Sequence, residues 1–269
     1  MRPALTVSTL KRWLPLLACL LCLPALAAQR VVVANLQLPA SVWPAQQEAV
    51  VGLLSEAAPA VVIIQGVSTS DPAGPAVCQL ARQLRMHCDF VTADPPSAAI
   101  RHGSVLMSQL AIEEDGAGLL HGGDVAPLAA GYLRLRLGGR AVAIYSASLT
   151  PGAAHAGTRA RQAADLRRWM HSHGHADAIV VCARFASTPV QLRQLMPGYS
   201  TVRRPGAADL PHGVDVLYRP DQARLVSATV LRLQSPGAAG GPPPAAPPAT
   251  ELIGVVVELE LDIDPPRPG

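Results

Sequence analysis

The chain has 269 residues, with 22 basic against 19 acidic side chains, a formal net charge of +3, and aromatic residues at only 3%. Three of the bases (Arg2, Lys11 and Arg12) fall in the first 27 residues with no acid, so the remainder carries 19 of each sign. A neutral surface poor in aromatics has neither the phosphate-neutralising field nor the stacking platforms of a nucleic-acid binder, and nucleic acid is set aside as a partner.

At the N-terminus the three bases precede an apolar run from Trp13 to Leu23, followed by Ala25-Leu26-Ala27. A positive start, a short apolar middle and a small-residue cleavage site predict a signal peptide over residues 1–27, and hence a periplasmic or secreted protein. Pro15 and Pro24 break the apolar run, and no later run is long enough to form a transmembrane segment. The remaining chain is long enough for one domain with a sizeable core, assigned to residues 28–262, with a disordered tail over 263–269.

Along that domain, runs rich in β-branched residues predict strands at 31–34, 61–64, 104–107, 132–135, 142–145, 179–182, 214–217, 225–233 and 255–261. Several are apolar throughout, as expected where both faces are covered. Helices are predicted at 44–57, at 75–84 with Pro75 in the first turn, and at 158–171, where Ala163, Leu166 and Met170 share one face. Residues 235–249 (SPGAAGGPPPAAPPA) have no periodicity and predict a flexible loop before the last strand. Many strands interleaved with few helices suit two mainly antiparallel sheets flanked by helices, an α/β (α+β) four-layer sandwich.

Cys78, Cys88 and Cys182 remain after the signal segment. If the helix holding Cys78 runs on, Cys88 is roughly 15 Å away, beyond disulfide reach. Free buried thiols are therefore expected.

The ends of the strands carry a resemblance. Residues 31–37 (VVVANLQ), 61–67 (VVIIQGV), 104–108 (SVLMS), 143–151 (AIYSASLTP), 159–166 (RARQAADL), 179–188 (IVVCARFAST), 213–217 (GVDVL) and 250–259 (TELIGVVVEL) are similar, in order, to segments of the endonuclease/exonuclease/phosphatase superfamily with its deoxyribonuclease-like fold. The resemblance covers nearly all of the chain beyond the signal segment. It implies that fold and the hydrolysis of phosphate esters with a bound divalent metal, Mg2+ or Mn2+, held by carboxylates, with a His and an Asp handling protons.

Position by position, the resemblance retains Asn35 and Asp215, and Glu251 stands for an Asp. Gly66 stands where the metal-binding Glu belongs, and Ser148 where a His belongs. Arg184 replaces an Asp, Ala186 an Asn and Leu252 a His. A Gly side chain cannot ligate magnesium, a Leu cannot move a proton, and an Arg puts positive charge where a base is needed. Groups that act as a unit lose orders of magnitude together.

The leading expectation is thus an exported pseudoenzyme of a phosphoric-ester hydrolase fold that needs no cofactor. It would act by binding or scaffolding a protein or a small phosphate-containing ligand. The alternative is an active metal-dependent phosphodiesterase or phosphatase with a rearranged site on Asn35, Asp215 and Glu251. A third reading is a periplasmic metal-binding protein using His171, His173 and His175, a spacing able to ligate zinc or copper. Their place at a helix end makes a solvated loop the expected reading. Arg184 is the expected partner for Asp215, and His102 and His212 are expected in loops near the same strand ends.

Overall fold

In a computed structural model of the chain, the β-branched runs pair into two six-stranded sheets; residues 29–38, 46–71, 74–173, 175–202, 214–234 and 250–261 are described. In chain order the strands are β1 (Gln29–Gln37), β2 (Val61–Thr69), β3 (His87–Thr92), β4 (Arg101–Ser108), β5 (Ile112–Leu120), β6 (Leu128–Leu137), β7 (Arg140–Ser148), β8 (Ala178–Arg184), β9 (Ser200–Val202), β10 (Asp215–Tyr218), β11 (Ala223–Gln234) and β12 (Thr250–Leu261). Sheet 1 has the order β11-β12-β1-β2-β4-β3, and sheet 2 the order β5-β6-β7-β8-β10-β9.

Only β1–β2 and β7–β8 are parallel neighbours among the described pairs. A parallel pair needs a crossover, supplied by helix α1 (Gln47–Ala57) in sheet 1 and by helix α3 (Ala156–Ser172) in sheet 2. Each sheet therefore has one β-α-β unit at its centre, and antiparallel strands on both sides.

Strand alternation sorts the apolar side chains into three layers. Val31, Val33, Val61, Ile63 and Leu106 meet Leu133, Val142, Ile144 and Val180 between the sheets. On the far side of sheet 1, Leu36, Val62 and Ile64 pack on Val50 and Leu54 of α1 and on Leu80 of the short helix α2 (Cys78–Gln83). On the far side of sheet 2, Tyr145, Val181 and Phe185 pack on Ala163, Leu166 and Met170 of α3 and on Leu192 of α4 (Pro189–Leu195). The order helix, sheet, sheet, helix is the four-layer sandwich expected.

The cysteines overturn the expectation of free thiols. Cys78 and Cys88 form a disulfide, with Cα atoms 5.9 Å apart. The estimate of 15 Å failed because α2 stops after six residues. Arg85 then takes a left-handed φ of 56°, which turns the chain back so that β3 runs past the start of α2. Cys182 alone is a free thiol among the described residues; it is fully buried, and burial pushes its pKa up.

The predicted loop 235–249 and the segments 1–27 and 263–269 lie outside the described residues. Among the described residues no helix is long and apolar enough to cross a membrane.

Candidate functional site at the strand ends

The seam between the sheets is apolar along most of its length and polar at one end. Asn35 and Gln65, both fully buried, reach from sheet 1 into the seam, Asn35 near the C-terminal end of β1 and Gln65 at the middle of β2, just before Gly66. Asn35 Nδ2 donates to two backbone carbonyls of sheet 2, Ala183 O at 3.1 Å and Asp215 O at 2.8 Å. Gln65 Nε2 donates to Cys182 O at 3.0 Å and Ser146 Oγ at 3.2 Å, and approaches Asn35 Oδ1 at 3.4 Å. Its Oε1 accepts from Ser148 Oγ at 3.0 Å, and Ser146 Oγ donates to Ser104 Oγ at 3.0 Å. Buried amides without partners would cost about 1–3 kcal/mol each; here they tie one sheet to the other.

This network places most of the residues singled out from the sequence. Asn35 touches the backbone of Asp215, and Ser148 is bonded to the residue preceding Gly66. The β7–β8 register sets Ser148 beside Arg184. Asp215 is buried and pairs across the ladder with Ala183. Glu251 and Leu252 lie on β12 opposite Leu233 and Arg232; their side chains are outside the described set.

Gly66 and Arg184 are the pair that most affects the chemistry. Gly66 has φ 71° and is exposed. An ideal Cβ built on it would lie 2.9 Å from Arg184 Nη1. Arg184 is half-buried, and burial lowers its pKa from the ordinary value, yet a guanidinium remains charged in proteins. The space that a side chain on residue 66 would enter, where the resemblance implies a metal-binding carboxylate, is thus covered by a cation. These residues do not fit a divalent metal. Among the described residues, no group of three His, Cys, Asp or Glu side chains is gathered to hold one.

The loop after β7 is anchored from α3. Arg159 Nη1 donates to Thr150 O and Gly152 O, while Gln162 Oε1 accepts from Thr150 N at 2.9 Å and its Nε2 donates to Thr150 Oγ1 at 3.0 Å. The Arg159/Gln162 spacing therefore holds the strand end that carries Ser148. Ala186 follows β8 with a left-handed φ of 46°, a conformation that suits Asn far better than Ala. Gln65, Ser104 and Ser146 were missed from the sequence; the available signal is a polar residue bordering the apolar run of each strand.

The histidines go separate ways. His171 and His175 are exposed. His173 corrects the expectation of a solvated loop: it is half-buried, its Nδ1 lies 2.9 Å from Trp169 O, and its ring packs 5.3 Å from Trp169 and 5.4 Å from Tyr132. A helix end packed on an aromatic cluster fixes this ring. His102 corrects the expectation of a loop too, since it lies on β4; it is exposed, with Nδ1 3.4 Å from Asp94 Oδ2. His212 lies outside the described residues.

No protein-family model and no curated protein matches the sequence. Solved structures match the fold. The human Nocturnin catalytic domain, solved with a bound sulfate anion, is 13% identical, with 87% of this chain and 95% of that chain covered at a TM-score of 0.62. An endonuclease/exonuclease/phosphatase family protein from Bacteroides thetaiotaomicron is 13% identical, with 88% and 99% covered and a TM-score of 0.64. A mannosyl-6-phosphatase from the same organism is 12% identical, with 87% and 100% covered and a TM-score of 0.59. Two six-stranded sheets, their helix layers and these superpositions give the chain the fold of the endonuclease/exonuclease/phosphatase superfamily.

Proposed function

We propose that this chain is an exported, non-hydrolytic member of the endonuclease/exonuclease/phosphatase superfamily that acts by binding rather than by turnover. The observation that carries the reading is the Arg184 guanidinium lying where a side chain on residue 66 would project. Phosphoryl hydrolysis of the metal-assisted kind needs a cation held by carboxylates and a base to prepare water. Here residue 66 offers no ligand, and Arg184 repels a divalent ion from the same space. Ser148, in the place of a His, has its hydroxyl engaged by Gln65 and handles no proton near neutral pH. Export draws support from the N-terminal segment and from the Cys78–Cys88 disulfide, a bond that persists in oxidising compartments.

The test is hydrolysis. The purified protein, supplied with Mg2+ or Mn2+, is expected to release no product above a buffer control from 4-nitrophenyl phosphate, bis(4-nitrophenyl) phosphate or DNA. Restoring Gly66→Glu, Ser148→His, Arg184→Asp, Ala186→Asn and Leu252→His together is the constructive arm, because single reversions leave the catalytic unit incomplete. Metal-dependent turnover by the unmodified protein, abolished by Asp215→Ala or Glu251→Ala, would overturn the reading in favour of an active hydrolase with a rearranged site.

A further inference from the structure

A sheet edge offers a row of backbone donors and acceptors to any strand that reaches it, and proteins blunt such edges by shortening, charging or covering them. The edges here are β3 and β11 in sheet 1 and β5 and β9 in sheet 2. β9 has three residues, and β3 has six and is tied to α2 by the disulfide. β5 carries Glu113, Glu114 and Asp115 in succession. β11 is different. It has 12 residues with no acid, no lysine and no proline, and among the described residues no strand lies on its far side. Ser227, Ala228 and Thr229 are exposed, as is the large apolar side chain of Leu225. A cavity of about 510 Å³ lies between Leu53 and Ala57 of α1 and Thr229 of β11, so the helix does not cover the middle of the strand. Bulges also blunt edges, but the two on this ladder, at Leu225/Ser227 and Leu231/Arg232, leave the stretch 227–231 regular between them.

That stretch is complementary to itself. Set antiparallel to its own copy about Thr229, it places Ser227 opposite Leu231, Ala228 opposite Val230, and the two Thr229 side chains opposite each other, a favourable cross-strand pair. Counted outward from there, Arg232 falls opposite Val226 and Arg224 opposite Gln234, so no like charges meet, and Leu225 falls opposite Leu233. The register centred on Ala228 instead sets Arg224 against Arg232, which is unfavourable. A two-fold pairing presents the same edge from both copies and closes on itself, so it stops at two.

We propose that β11 is the edge through which two copies of this chain pair, joining their first sheets into one across a two-fold axis at Thr229. The dimer goes beyond the non-hydrolytic reading and does not depend on it.

Sedimentation equilibrium of the purified protein, from micromolar to millimolar concentration, is expected to show a reversible monomer–dimer equilibrium. Thr229→Lys and Thr229→Glu each set like charges directly opposite at the axis and should raise the dimer Kd about tenfold or more. Mixing the two variants should restore pairing to at least the parent's level, because Lys then meets Glu. Recovery on mixing is a result that a merely damaged fold does not give. Should either variant fail to fold, amide exchange in the parent decides: exchange at 227–231 that slows as concentration rises supports the dimer, and exchange independent of concentration overturns it. A parent that is monomeric throughout overturns it too, and protection of 227–231 in that monomer assigns the edge to another part of the same chain. A dimer that both substitutions leave intact, or a mixture that pairs no better than either variant alone, places the interface elsewhere and overturns the proposal.

Discussion

Arg184 Nη1 lies 2.9 Å from the point that a Cβ on Gly66 would occupy, so the two positions, on opposite sheets, share one volume. Gly66→Ala is expected to lose about 1–2 kcal/mol, the penalty of an L side chain in the left-handed region, with a further loss from displacing the guanidinium. In urea unfolding, Gly66→Ala/Arg184→Ala should cost less than the sum of the single variants, because only the single glycine variant meets the crowding. Strict additivity would show that the residues do not compete for space.

The amide of Asn35 bridges the sheets by donating to Ala183 O and Asp215 O. Asn35→Ala strands both carbonyls in a buried place and should cost about 2 kcal/mol or more in urea unfolding. Asn35→Asp exchanges the donor for an acceptor facing two carbonyls and is expected to be worse near neutral pH. An aspartate variant as stable as the parent would remove the network from the account of the fold.

The disulfide closes a loop of only ten residues in sequence separation. Chain-entropy arguments put its contribution at about 2–3 kcal/mol, so Cys78→Ser/Cys88→Ser should lower the urea midpoint accordingly. Reductant should have the same effect on the parent protein and none on the double variant. Two free thiols at positions 78 and 88 in the native protein, read by mass under non-reducing conditions, would contradict the pairing.

Asp89 faces the most evident pH dependence. Burial first, and then the nearby Asp115 carboxylate, push its pKa above the ordinary value against the lowering effect of His87 and the Phe90 amide. Folding therefore favours its neutral form. Its stabilising contribution is complete below the unfolded-state value of about 4 and is lost as pH rises through the higher folded value. Asp89→Asn is expected to be more stable than the parent near neutral pH and to lose that advantage near about pH 3. An advantage that persists in acid would trace to something other than charge.

At Ala186 the backbone holds a φ of 46° without the side chain that favours it. Ala186→Asn should gain about 0.5–1 kcal/mol by relieving left-handed strain, seen as a raised melting temperature. A loss of stability there would mean that the half-buried methyl packs better than the backbone argument allows.

How far the sequence could be read follows from where each strand sits. The central strands β1, β2, β7 and β8 are covered on both faces and carry unbroken apolar runs. β3, β5 and β9 went unread, and each lies at a sheet edge. There, one side needs no apolar cover, and β5 (IEEDGAGLL) carries three successive acids and two glycines instead. At the site, the nearness of Gly66, Ser148 and Arg184 was legible, because strand ends follow once the strands are found. Gln65 and Ser146 were not, since a polar residue at the end of an apolar run announces a partner without naming it. The cysteine pairing failed for a similar reason: the reversal at Arg85 depends on how α2 packs, which its six residues do not encode alone.

The polar end of the inter-sheet seam has a mechanical consequence. Apolar contact is non-directional, and two oily β-surfaces can trade one offset for another at small cost. Hydrogen bonds from Asn35 and Gln65 to carbonyls at 183, 215 and 182 accept only one offset. They act as a key in a lock, fixing how far one sheet may slide along the other. Replacing Asn35, Gln65 and Ser146 together by apolar residues of similar size should leave a folded protein whose sheets shear more freely. Amide exchange along β1 and β8 that quickens more than the loss of global stability accounts for is how that freedom would register.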